Sequence, residues 1–82
     1  MEMQPGMTVQ AKAGRDKDRF FLILKVEDGY AYIADGKTRT VEKPKKKKLI
    51  HLAATKLIKD IEGVTNRQLK EYLAWANGKE ML

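Results

Sequence analysis

Seven cations fall between residues 37 and 48: Lys37, Arg39, Lys43, Lys45, Lys46, Lys47 and Lys48, against a single anion, Glu42. The surplus of six in this segment equals the net charge of the whole 82-residue chain, +6, so positive and negative side chains cancel everywhere else. Solubility is served by interspersed charge. A concentrated block of one sign suits a different task, the neutralisation of a polyanion such as a nucleic-acid backbone. Lysine brings a compact point charge for phosphates, whereas Arg15, Arg19 and Arg39 bring planar forks that bind bidentately or stack. The plain alternative is a solvated lysine loop with no specific partner.

The groups that catalysis needs are scarce. His51 is the only imidazole and there is no cysteine, which excludes a thiol nucleophile, thiolate-bound zinc and a two-histidine metal site. Asp16 with Asp18, and Glu27 with Asp28, are carboxylate pairs in turn-like stretches, where aspartate serves the backbone. Gly14 stands alone and makes no phosphate-cradling glycine loop. The expectation is a non-enzyme with no cofactor, no metal and no small-molecule substrate. Residues 1–6 show no secretory pattern, and the longest apolar run, Phe20 to Leu24, is far too short to span a bilayer. At 43% hydrophobic and 34% charged residues, the composition predicts one soluble, cytoplasmic, monomeric domain.

The elements that must position the cations read as mainly β. Met7, Val9 and Ala11 alternate with Thr8, Gln10 and Lys12, the period of a half-buried strand, and a loop over 13–18 follows. Arg19 to Val26 is the strongest strand, rich in aromatic and β-branched side chains. Asp28-Gly29 and Asp35-Gly36 mark turns on either side of Tyr30 to Ala34, with Lys37 to Val41 as the next strand. The spacing therefore predicts a three-stranded meander over 19–41. Pro44 ends it, the lysine run becomes a loop, and Leu49 to Leu52 is a fifth strand of a small barrel. From Ala53 the period turns helical. Thr55 to Glu62 reads as one or two helical turns ended by Gly63. Thr65 then caps a second helix with Gln68 as its capping-box partner and Val64 as a staple onto Leu69, and Leu69, Tyr72, Leu73 and Ala76 share one face up to Asn77-Gly78.

Two-residue turns at both Asp-Gly pairs would align Lys25, Tyr32 and Arg39 in one cross-strand row, a stacking platform for an unpaired base. One extra residue in either turn reverses the faces and sends Tyr30 and Tyr32 into the core. With Phe20, Leu22, Leu24 and Val26 inside the barrel, Phe21 and Ile23 point outward and require a cover. The stripe Leu69, Tyr72 and Leu73, with Leu57 and Ile61, supplies one. Alternatively the stripe docks on a partner protein with Trp75 at its margin, making the chain an interaction adaptor.

Gly6-Met7-Thr8-Val9, Ala13-Gly14-Arg15-Asp16-Lys17 and Phe20 to Val26 together resemble a KOW motif, the strand-loop-strand unit of ribosomal proteins and transcription elongation factors. Ala34-Asp35-Gly36, Val41-Glu42-Lys43-Pro44-Lys45 and Leu49 to Leu52 extend the resemblance to large-subunit ribosomal proteins of the fourteen-e type and their small bacterial relatives. Where many KOW units have a second glycine after the loop lysine, Asp18 stands here. The resemblance covers Gly6 to Leu52 and implies that the five strands over 6–52 close as an SH3-like barrel; the flexible stretch over 1–5 and the C-terminal helices over 53–82, packed on that barrel, are read from the residues alone. It also implies RNA as partner, ribosomal RNA or the ribosome, and hence a role in translation. The expected contacts are Lys12, Arg15, Lys17, Arg19, Lys25, Tyr32, Lys37, Arg39, Lys43, Lys45, Lys46, Lys47, Lys48 and His51.

Overall fold

The computed structural model describes residues 2–77. Five strands form one antiparallel sheet: β1 (Met7–Ala11), β2 (Phe20–Glu27), β3 (Tyr30–Ala34), β4 (Lys45–Lys48) and β5 (Leu52–Ile58), in the order β4-β3-β2-β1-β5. α1 (Asn66–Asn77) follows and is the single α-helix among the described residues, where two were expected. The expected helix closure at Gly78 lies outside those residues.

The sheet is open in its hydrogen bonding but it is not flat. β4 and β5 occupy opposite edges, and only the 3-10 turn Leu49–His51 separates them in the chain. Four strand spacings amount to about 19 Å in a flat sheet, whereas four residues reach at most ~14 Å. The sheet therefore curls, and its concave face encloses one core. Met7, Val9 and Ala11 from β1, Phe21 and Ile23 from β2, Ala31 and Ile33 from β3, and Leu52 from β5 fill it.

α1 packs on the opposite, outer face. Leu69, Leu73 and Ala76 are buried, and Leu69 joins Leu22 and Ala34 in a second cluster flanked by Leu24, Val41, Ile61, Val64 and Tyr72. The helix starts as its sequence dictates. The Gln68 N–H donates to Thr65 Oγ1 at 3.2 Å while the Thr65 N–H donates to Gln68 Oε1 at 3.0 Å, a reciprocal capping box. Two asparagines tie it down. Asn66 Oδ1 accepts the Val41 N–H at 2.8 Å, and Asn77 both accepts the Phe20 N–H at 2.7 Å and donates to the Phe20 carbonyl at 3.1 Å. Gly36, at φ +80°, lies so close that an added Cβ would collide with the Asn66 carbonyl.

Four expectations change. Lys37 to Val41 is no strand, because the Asp35 carboxylate takes the N–H groups of Lys37 and Arg39 and winds the chain locally instead of leaving it to a ladder. The lysine run Lys45–Lys48, expected as a loop, is the strand that pairs with β3. Leu49 to Leu52 is mostly the 3-10 turn, and only Leu52 enters β5. The helical reading of Thr55 to Glu62 fails because β5 runs to Ile58. There Met7 pairs with Ile58 but Val9 with Ala54, and this irregularity breaks the alternation that would have announced a strand.

The faces of β2 also differ from expectation. Across the Asp28-Gly29 turn, Lys25 pairs with Tyr32 and Glu27 with Tyr30, as a two-residue turn requires, but the register shifts between Ile23 and Lys25. Leu24 is the extra residue. Below it, Val26 points inward; above it, Ile23 and Phe21 do, while Leu22 and Leu24 pass under α1. Truncation reads this register directly: Phe21→Ala is expected to cost about 3–5 kcal/mol in denaturant unfolding. Phe20→Ala, at a half-buried ring beside Trp75, is expected to cost less than half of that. Equal losses at the two positions would contradict the register.

Candidate nucleic-acid interface

α1 covers only one end of the outer face. Ala34 lies beneath it, but Tyr32 and Tyr30, two and four residues back along the same side of β3, do not belong to the cluster it covers. Tyr32 is flanked by Lys25 on β2 and Lys46 on β4, and Tyr30 by Glu27 and Lys48. The expected row thus forms with Lys46 in place of Arg39. Both rings are half-buried, and each carries an ammonium: Lys46 Nζ lies 4.6 Å from the Tyr30 centroid and Lys25 Nζ 5.7 Å from that of Tyr32. Such contacts contribute about 0.5–1 kcal/mol at exposed sites. The single anion in these rows, Glu27, sits 3.6 Å from Lys25 Nζ beside the turn.

The pleat of β4 divides the lysine run. Lys46 and Lys48 emerge beside the tyrosines, whereas Lys45 and Lys47 alternate to the inner side, opposite Ile33 and Ala31. Lys45 stays exposed. Lys47 is buried, and its Nζ donates to the Ala13 carbonyl at 2.7 Å. Lys47 therefore latches the β1–β2 loop to the edge strand and is no freely presented phosphate contact. At a sheet edge, lysines also discourage pairing with a second chain, so the run serves the fold in either case.

Arg19 and Arg39, expected to reach outward, are held in a crossed pair of ion pairs. Arg19 Nη2 lies 3.4 Å from Asp35, and Arg39 Nη2 lies 3.1 Å from Asp16. The β1–β2 and β3–β4 connections each give one arginine and one aspartate, which clasps the loops together. Both Nε atoms are buried and make no hydrogen bond among the described residues. On the same β1–β2 loop, Asp18 has φ 72°, the left-handed conformation that aspartate tolerates better than most residues. Its N–H donates to the Ala11 carbonyl at 2.8 Å, which closes the loop back onto the end of β1.

The remaining candidates spread over the surface. Lys12, Arg15 and Lys17 are exposed on the β1–β2 connection, and Lys37 and Lys43 on the β3–β4 connection. His51 is half-buried in the 3-10 turn, where its carbonyl accepts the Lys12 N–H at 2.8 Å. The structure thus gathers Lys25, Tyr32, Lys46 and Lys48, sets Lys45 at the rim, and commits Arg19, Arg39 and Lys47 to the fold. Tyr30 is the member of the face that the site expectation omitted, though its period-two relation to Tyr32 signals it. Nothing in the sequence announces the roles of Asn66 and Asn77.

No protein-family model matches this chain, and no curated protein matches it either. No helix among the described residues is long and apolar enough to cross a membrane.

Asp35 sets the acid limit of the clasp. Burial by itself raises its pKa, but the N–H groups of Arg39 and Lys37, the Thr38 hydroxyl and the Arg19 guanidinium outweigh that and hold it below the ordinary value of 3.8. The unfolded chain then binds the proton more readily than the folded one. The contribution is present above pH 3.8 and is lost as pH falls through the depressed folded value. Asp35→Asn should lower stability at neutral pH and flatten the decline of unfolding free energy in acid. An acid limb as steep as the parent's would assign that decline to other carboxylates.

Proposed function

We propose that this chain is a non-enzymatic RNA-binding module of the KOW type, acting on ribosomal RNA or at the ribosome in the cytoplasm. The observation that carries the reading is the convergence of Lys25, Lys46 and Lys48 around two half-buried tyrosines that lie outside the cluster α1 covers. Cations on such a face bind phosphates with release of counterions, and the aromatic rings add a surface on which bases can stack. The curl of the five-stranded sheet, with its two edges joined by three residues, supports an SH3-like barrel as the scaffold. The tight loop over 13–18, with Gly14 and Asp18 in left-handed conformations, supports the KOW resemblance.

Of the stripe on which the adaptor reading relies, Leu69 and Leu73 are buried, Tyr72 is half-buried and Trp75 at its margin is exposed, so the stripe offers a partner less apolar surface than its sequence suggests.

Two measurements test the proposal. If about five phosphates are engaged, log K for single-stranded RNA falls with log salt at a slope near −3.5, and replacing Lys45, Lys46 and Lys48 by alanine lowers its magnitude by about 2. The triple variant should lose affinity to a similar degree on unrelated RNA sequences, because ammonium–phosphate contacts carry no sequence information. A binding curve indifferent to salt would remove the proposal. Conversely, Glu27→Gln frees Lys25 and removes the anion of the face, so RNA binding at low salt should tighten about two- to fivefold. A weakened or unchanged affinity would place the RNA elsewhere.

A further inference from the structure

We infer that the Tyr30–Tyr32 face takes unpaired nucleotides, stacking bases on its two rings, so that the RNA bound there is a single-stranded segment and not a duplex. This rests on the RNA-binding reading and specifies the form of its ligand.

The argument begins with what the rings do not do. Tyr30 and Tyr32 belong to neither apolar cluster: the inner core takes Ala31 and Ile33 from β3, and the helix-covered cluster takes Ala34. Each ring is half-buried, and the partner near it is a flexible ammonium, Lys46 at Tyr30 and Lys25 at Tyr32. Side chains two apart on a strand lie roughly 6.7 Å from one another, about twice the 3.4 Å separation of successive bases along a nucleic-acid strand. The spacing of the two positions along β3 is therefore commensurate with the repeat of every second base.

The cations explain how a base enters. Stacking on a nucleobase is the stronger contact, so an arriving base displaces Lys46 from Tyr30 and Lys25 from Tyr32. Each displaced ammonium, on a flexible four-carbon stem, remains beside the strand whose phosphates it then neutralises. Lys48, opposite Tyr30, extends the cationic flank along β4. A duplex cannot use this arrangement. Its base faces are hidden within the stack, leaving only phosphates and groove edges, and for phosphates alone the two tyrosines would add nothing.

The test uses the full chain with a labelled RNA of about ten nucleotides, within the range that such grooves hold, and a hairpin duplex of the same composition. The parent should prefer the single strand. Tyr32→Leu and Tyr30→Leu should each weaken single-strand binding roughly 5- to 150-fold, leave the duplex within twofold, and keep the salt slope unchanged because no cation is removed. Tyr32→Phe should retain single-strand affinity. Should the leucine variants fail to fold, the parent still decides the question: its Tyr30 and Tyr32 ring protons should shift upfield with the single strand and stay in place with the duplex. Salt-dependent binding that treats both RNAs alike, with rings unmoved, would overturn the stacking inference while leaving RNA binding intact. Binding to neither RNA would remove both.

Discussion

One unpaired residue in β2 governs the distribution of side chains over this fold. The extra residue at Leu24 reverses the in-out alternation of the strand, so that Val26, Ile23 and Phe21 share the concave core although their spacing in sequence is uneven. On the convex side the same shift brings Leu22 and Leu24 together beneath α1. Lys25 then emerges just beyond the helix, directly opposite Tyr32. Without the bulge, either the core would lose Phe21 and Ile23 or the lysine would face inward. The lysine–tyrosine face and the core are thus consequences of a single irregularity in the ladder.

The electrostatics divide in a similar way. Arginines and aspartates of the two long connections pair with one another at the end of the sheet near Asp35, where burial makes an unpaired charge costly. Lysines occupy the edge strand, where their heads stay hydrated and available. Lys47 is the exception. Its stem crosses the inner side and its ammonium closes on the Ala13 carbonyl beside Gly14. A run that looks uniform in sequence therefore holds both a structural latch and presented charge, separated by the pleat of the strand.

What could be read in advance follows the same logic. The alternation of Met7, Val9 and Ala11, the Asp28-Gly29 turn with its Lys25–Tyr32 pairing, and the Thr65–Gln68 capping box are local signals, and each appears where its residues place it. The need for a cover over one face of β2 was also legible; the identity of the face was not, since an unpaired residue leaves no mark in an unbroken apolar run such as Phe20 to Leu24. Asp35-Gly36 reads as a hairpin turn until the carboxylate is seen to gather the following N–H groups, which moves the next strand from Lys37 to Lys45. The two asparagines that anchor α1 act on backbone groups far away in sequence, and no local pattern encodes such bonds.

The strand order carries a kinetic consequence. β1 lies between β2 and β5, so one of its ladders joins pairs as near in sequence as Gln10 and Phe20 across a loop while the other joins Val9 to Ala54 and Gln10 to Ala53. Loop-closure entropy is lost long before contacts of that separation form, and topologies dominated by them fold slowly for their size. During synthesis at about 5–20 residues per second, the amides on that side of β1 wait seconds for their partners. Over that interval the nascent chain exposes a strand edge carrying Met7, Val9 and Ala11, which is where premature association with another chain would begin.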